Sequence, residues 1–312
     1  RALAAGDQTA ALPDLLVAAQ RCPDHVRAHI AFQDAARAHG GAAEQAMIAF
    51  YANLPERRSP VGPYLRARLA ETAYAQGTAL DGILMQWPSF GWGHLSRARV
   101  QRRQGRMLAA LDAYALAIVN DPSLHEARLE RAQVLAELGR DEEAAREYRN
   151  YLDQEPQDQA AKRAYATLLL YRLGRVDEAL RLLDDLTALE PESAALRMDR
   201  AAALWRSNRP RDAVDAYRKL LDDERERARA ALNIGLVYYE VAPRDQAARL
   251  RFWPKAREAF QLFLATTTAA DGHEQYERTF GVPYRLRRID DLLGADPDAA
   301  PDPQQLDWPE GG

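Results

Sequence analysis

Cysteine occurs once in the 312 residues, at Cys22, which excludes any disulfide within the chain. No run of roughly 18 apolar residues exists, so no segment reads as a bilayer-spanning helix. Net charge is only −4, which argues against a nucleic-acid role carried by bulk electrostatics. A Gly-rich phosphate loop, a His-Glu-x-x-His helix and a Gly-x-Ser-x-Gly elbow are all missing, so the chain reads as a non-enzyme with no cofactor and no metal. Its first residue is Arg1 rather than methionine. The expectation is that something precedes it, a removed leader or a longer protein, which leaves the compartment as cytoplasmic or, after loss of a leader, periplasmic or envelope-associated.

What is present is helical and periodic. Over residues 125–156, Leu129, Ala132, Leu135 and Leu138 recur at helical spacing with charged residues between them. Gly139 then stops the helix, because a glycine takes the left-handed conformation without a Cβ clash. Asp141, Glu142 and Glu143 supply a capping carboxylate and a negative first turn for a second helix, whose inward side carries Ala144, Ala145, Tyr148, Tyr151 and Leu152. Pro156 closes the unit. A helix pair of this size cannot bury its own apolar stripes, so it needs copies on either side.

The copies are in the sequence. Ala110, Ala144, Ala179 and Ala213 follow one another at 34, 35 and 34 residues, and Gly105, Gly139, Gly174 and Asn208 keep the same steps. Tyr114, Tyr148, Leu183 and Tyr217 do likewise. Small residues at Ala98, Ala132, Thr167 and Ala201 are expected to let paired first and second helices approach, with the aromatic positions filling the gap to the next unit. Asn208 replaces the glycine because its side chain tolerates the left-handed region.

This pattern resembles the tetratricopeptide repeat, which has a period of about 34 residues, a small residue in each helix, an aromatic and a closing proline. The usual tryptophan near the start of the first helix is replaced by His94, Arg128, Arg163 and Arg197. The resemblance, of a bacterial type, implies an all-α solenoid: a right-handed superhelix of antiparallel helix pairs, with about seven to eight units and a C-terminal capping helix. It also implies a scaffold or adaptor that binds a partner protein or peptide in its concave groove without catalysis. A regulatory or targeting arm of a larger enzyme and a self-associating scaffold are the alternative readings.

In chain order, residues 1–23 read as a partial repeat with Gly6 as its turn. Residues 24–90 form two irregular units. The first starts at Asp24 as N-cap, and the second has a normal first helix through Tyr74, a stop at Gly77 and a short second helix before Pro88. Residues 91–268 hold five repeats, the last with a nine-residue insertion near 241–254 that forms a loop or an extended helix. Residues 269–294 form the cap. The acidic tail 295–312, rich in proline and aspartate, is expected to be disordered, with its aspartates able to occupy an arginine-bearing groove.

Under the family geometry the first helices line the groove. The residues placed there are Trp92, Arg99, Arg102 and Arg103 in one unit, Gln133 in the next, and Tyr165, Tyr171 and Arg172 in the third. Trp205 and Arg206 follow, then Asn233 and Tyr239. Guanidinium groups hold carboxylates or carbonyls while aromatic faces add area at low entropy cost, so the expected guest is a protein segment, acidic in character. No nucleic acid and no membrane insertion are expected. Self-association would use the WPSFGWG run (Trp87 to Gly93) or the aromatics Phe252 and Trp253. The family's lysine- and arginine-based carboxylate clamp is not carried over, since only Asn233 matches it. Cys22, His25, His29 and His39 have some metal-ligand spacing, but an inter-repeat turn explains them better.

Overall fold

The computed structural model describes residues 11–54, 58–241, 246–267, 280–294 and 306–309. These residues form α-helices and turns and fall into two compact units, Arg1–Pro156 and Gln157–Gly312.

The first unit contains α1 (Leu12–Arg21), α2 (Val26–His39), α3 (Gly41–Ala52), α4 (Val61–Ala67), α5 (Ala73–Gln86), α6 (Gly91–Arg103), α7 (Met107–Asn120), α8 (His125–Glu137) and α9 (Asp141–Leu152). Successive helices pack as antiparallel hairpins, α2 with α3, α4 with α5, α6 with α7 and α8 with α9. In the second unit, α10 (Gln159–Leu168) runs on into a π-turn at Leu169–Leu173. It is followed by α11 (Val176–Leu189), α12 (Ala194–Arg206), α13 (Pro210–Arg218), α14 (Arg227–Val241), α15 (Gln246–Thr266) and α16 (Val282–Leu293). The architecture is an all-α stack of helical hairpins in each unit.

The sequence period has its physical counterpart in burial. Ala110, Ala144, Ala179 and Ala213 have no solvent exposure, and Tyr114, Tyr148, Leu183 and Tyr217 are buried beside them. Each buried ring or leucine contributes about 2 kcal/mol of transfer free energy. Turns stop as expected: Gly105, Gly139 and Gly174 have φ of 74°, 76° and 67°, and Asn208 takes 60°. Each of the regular turns is closed by an amide reaching back five residues, Arg106 to Gln101 O, Arg140 to Leu135 O and Arg209 to Leu204 O.

The one 35-residue step is explained by the π-turn. Here the closing amide is Arg175, which reaches back six residues to Leu169 O. A π-turn adds one residue to a helix without lengthening the hairpin. Residues before it therefore keep a 34-residue step from the preceding repeat, and the buried small residue is Ala166, not Thr167. Thr167 is exposed and its hydroxyl donates to Arg163 O at 2.9 Å.

Five other expectations are corrected. Asp24 accepts a hydrogen bond from the Ser59 hydroxyl, and the α2 N-cap is His25, whose Nδ1 receives the Ala28 amide at 3.1 Å. The short helix of the 63–88 unit is its first, α4, at seven residues. Thr72 caps the start of the long α5, and Gly77 lies inside α5, where a Cβ would stand 3.3 Å from the Arg97 guanidinium on α6. The N-cap of α9 is Arg140, which pairs with Glu143, and Asp141 is the first helical residue. The insertion takes the expected extended-helix form, in the 21-residue α15, but its aromatics Phe252 and Trp253 are 7% and 3% exposed, so they are core rather than contacts for another copy.

Of the capping segment, α16 packs on α15 through buried Val282 and Ile289. Gly6 and most of the acidic tail, including Asp296, Asp298 and Asp302, lie outside the described residues. The tail residues 306–309 are not free: Leu306 is fully buried, and Asp307 pairs with Arg218 of α13.

Candidate functional site

In the first unit, α2, the C-cap of α4 and α6 each present arginines to a common cavity of about 700 Å³. It is lined by Arg37, Arg68, Arg99, Arg102 and Arg103, with Gln76, Ser96, Met107, Tyr114 and Glu130. α6 supplies three of the arginines because positions 99, 102 and 103 fall on one helical face. They are not equivalent. Arg99 is fixed by a bidentate pair with Glu130, which also accepts the Tyr114 hydroxyl at 2.9 Å. Arg102 pairs with Glu137 and donates to Gln133 at 3.2 Å. Arg68 pairs with Asp34 at 2.9 Å. Arg37 donates to the Arg68 carbonyl and Arg103 to Gln76, so among the described residues these two exposed guanidiniums have no carboxylate.

Burial and the Glu130 charge both push the Tyr114 phenol well above its ordinary range, so it stays a neutral donor. For Arg99, burial alone would lower the pKa, but the Glu130 pair outweighs it and the net shift is upward. Trp92 lies outside this cavity, half-buried under the Arg27 guanidinium at 5.7 Å, in an adjoining recess it shares with Arg68 and Arg99. Gln133 serves as an acceptor for Arg102.

The second unit has its own recess of about 470 Å³, lined by Tyr171, Met198, Trp205, Arg206, Asn233, Leu236, Phe280 and Arg285 among others. The π-turn presents Tyr171, 44% exposed, with Arg206 over its ring at 5.1 Å and its hydroxyl donating to Asp199 at 2.7 Å. Burial, then the Asp199 contact, raises its pKa. Arg206 also donates to Leu170 O at 2.6 Å. Asn233 is turned toward the Met198 sulfur at 3.5 Å.

Two of the residues assigned from the sequence serve as packing residues. Tyr165 is 3% exposed and donates to Glu178 at 2.6 Å, so it is a packing residue. It stands ahead of the π-turn, 34 residues after Arg131. Tyr239 is stacked on Trp253 at 5.0 Å and 5°, with Arg285 and Arg288 over its face, and braces α14, α15 and α16. Arg172 is exposed on the π-turn. Arg37 and Arg68 were missed because they belong to the irregular units, where no period identifies the face; Phe280 and Arg285 come from the cap.

The histidines near Cys22 are used structurally. His29 is 1% exposed with Nδ1 3.0 Å from the Tyr51 hydroxyl, and His25 caps α2, while Cys22 is exposed. Among the described residues no three histidine, cysteine or acidic side chains converge on a point, and no helix is long and apolar enough to cross a membrane.

A family profile described as tetratricopeptide repeat matches residues 95–160, 166–210 and 199–252. Among solved structures, the C-terminal part of a TPR repeat-containing protein from Cytophaga hutchinsonii is 15% identical, with a TM-score of 0.52, over 71% of this chain and 90% of that one. YrrB, described as a TPR protein with an unusual peptide-binding site, is 16% identical with a TM-score of 0.48, over 53% of this chain and 86% of its own. A tetratricopeptide repeat protein from Parabacteroides merdae ATCC 43184 is 16% identical with a TM-score of 0.39, over 89% and 98%. No curated protein matches the sequence. At 15% identity the likeness to the Cytophaga hutchinsonii structure is one of fold. The three profile matches, on hairpins whose buried alanines and left-handed turns repeat at the profile's own period, make this chain a member of the tetratricopeptide-repeat family.

Proposed function

We propose that the protein is a non-catalytic interaction scaffold that holds an acidic segment of a partner protein in the arginine-lined cavity of α2, α4 and α6. The observation that carries this reading is the charge inventory of that cavity. Three of its five guanidiniums are balanced by Asp34, Glu130 and Glu137, and Arg37 and Arg103 are not. An entering carboxylate meets two uncompensated cations beside a partly apolar wall, where screening is weaker than in open solvent. Arginine suits the task because its planar fork binds carboxylates in two-point contact.

The balanced pairs have a different role. Arg99 and Arg102 are held in place by their own carboxylates, which keeps the cavity open and its rim rigid. The scaffold role itself is the one common to tetratricopeptide repeats. The second unit has its own aromatic and cationic recess, Tyr171, Trp205 and Arg206, suited to a side chain of a bound peptide, since such residues dominate binding energy at protein interfaces.

Calorimetric titration of a short Glu/Asp-rich peptide into the full chain tests this reading. Binding should weaken at least tenfold in Arg37→Glu/Arg103→Glu, and should fall as salt is raised from 50 to 300 mM, order-of-magnitude values set by loss of two charge-assisted contacts. Equal affinity for the variant and the unaltered chain would remove the assignment.

A further inference from the structure

Residues 306–309, Leu-Asp-Trp-Pro, are held one by one on the surface of the second unit. The Tyr238 hydroxyl donates to the Leu306 carbonyl at 2.8 Å, and an Arg251 Nη2 donates to the Pro309 carbonyl at 3.0 Å. The Leu306 side chain is fully buried. Asp307 pairs with Arg218 while remaining 64% exposed. Trp308 packs 5.7 Å from the Tyr238 ring at 29° and 5.1 Å from the Phe252 ring at 53°.

The platform under this segment belongs to the repeats themselves. Tyr238 of α14 and Phe252 of α15 stack on each other at 6.3 Å and 26°, and Arg251 lies over the Phe252 ring at 5.5 Å. Arg218 comes from α13. The segment therefore lies on an aromatic surface flanked by two arginines, with backbone carbonyls fixed at each end and three side chains read between them. That division of labour, main-chain hydrogen bonds for hold and side-chain pockets for selectivity, is how short peptides are recognised. The buried leucine and the stacked tryptophan are the kind of anchors that carry most of the energy at such sites. Twelve residues separate Leu293, the end of α16, from Leu306.

We infer that Tyr238, Phe252, Arg218 and Arg251 form a peptide-binding site for a Leu-Asp-Trp-Pro segment, and that the chain's own residues 306–309 are its resident ligand. The site is separate from the arginine-lined cavity and does not depend on the reading given for it. Covalent attachment holds the ligand at an effective concentration on the order of millimolar, so the chain's own segment fills the site even at modest intrinsic affinity. A free segment of the same chemistry enters when the resident one is weakened.

Fluorescence anisotropy of a labelled peptide Gln-Gln-Leu-Asp-Trp-Pro-Glu, copying residues 304–310, tests this on the full chain. The Trp308→Ala chain should bind the peptide at least tenfold more tightly than the unaltered chain. Adding Arg218→Glu to it should remove at least tenfold of that affinity. Absence of saturable binding to a Trp308→Ala chain of unchanged helicity would overturn the inference, as would equal binding to both chains. Should Trp308→Ala lose helicity, the exposed Asp307→Lys serves as the weakened host; saturable binding stronger than to the unaltered chain supports the site, and its absence rejects it.

Discussion

The Arg99 guanidinium sits two-pronged on the Glu130 carboxylate, with Nε 3.0 Å from both oxygens and Nη2 2.5 Å from Oε1. This contact ties α6 to α8, the first helices of neighbouring repeats, and Tyr114 on α7 completes it from below. The arginines facing the cavity thus divide into a structural set and a free set.

That division sets a stability prediction. Glu130→Ala leaves a half-buried guanidinium and a phenol without their acceptor and should cost about 2–3 kcal/mol in urea unfolding. Arg103→Glu, on an exposed and unbalanced position, should change stability by no more than about 0.5 kcal/mol. Similar losses for both would show that the free and structural sets are not distinct.

How much of this was legible in the sequence follows from what periodicity can report. Ala110, Ala144, Ala179 and Ala213 lie at the same buried position because a 34-residue step returns each to the same face of its helix. The single extra residue between Ala144 and Ala179 was visible as a number, but its location was not. It is absorbed at Leu169–Leu173, so Tyr165, ahead of the π-turn, faces the core instead of the groove. The irregular units gave no period at all, and there Gly77 read as a stop when it is a point of close helix approach. Arg37 and Arg68 were unreadable for the same reason. The tail misled differently: its proline and aspartate content masked Leu306 and Trp308, whose apolar surface has a partner only once α13, α14 and α15 are assembled.

Close approach also governs Gly235. A Cβ built there would stand 2.5 Å from the Phe260 ring, and Phe260 is fully buried. Gly235→Ala should therefore destabilise the chain by about 1–3 kcal/mol, as overpacking does. The same change at Gly82, which has open space around it, should stabilise by up to about 1 kcal/mol through helix propensity. Thermal denaturation of the pair separates packing from propensity.

Asn208 stands at φ 60° where the other regular turns have glycine. Asn208→Gly should be neutral or stabilising by up to about 1 kcal/mol, and Asn208→Val should destabilise by about 1–2 kcal/mol, because a β-branched side chain is strained in the left-handed region. Equal melting temperatures for glycine and valine would contradict the turn geometry.

His29 makes stability pH-dependent in a stated direction. Burial lowers its pKa below the ordinary imidazole value, outweighing the backbone carbonyls of Pro23 and Cys22, which pull upward; nearby His25 also lowers it, and Asp24 raises it. The unfolded chain therefore takes up a proton there more readily than the folded one. The contribution is fully present above the unfolded value of about 6.5 and is lost as pH falls through the lower folded value. Melting temperature should drop between pH 7 and pH 5, and the drop should be smaller in His29→Leu. An identical slope in the two chains would remove His29 as the cause.

The position proposed for the guest is the face shared by α2, α4 and α6. An acidic peptide carrying a benzophenone, photolysed on the full chain and mapped by mass spectrometry, tests it most directly. Adducts are expected at Met107 and at cavity residues of α2, α5 and α6. Adducts confined to the outward residues Leu108, Leu116 and Val119 of α7 would contradict it.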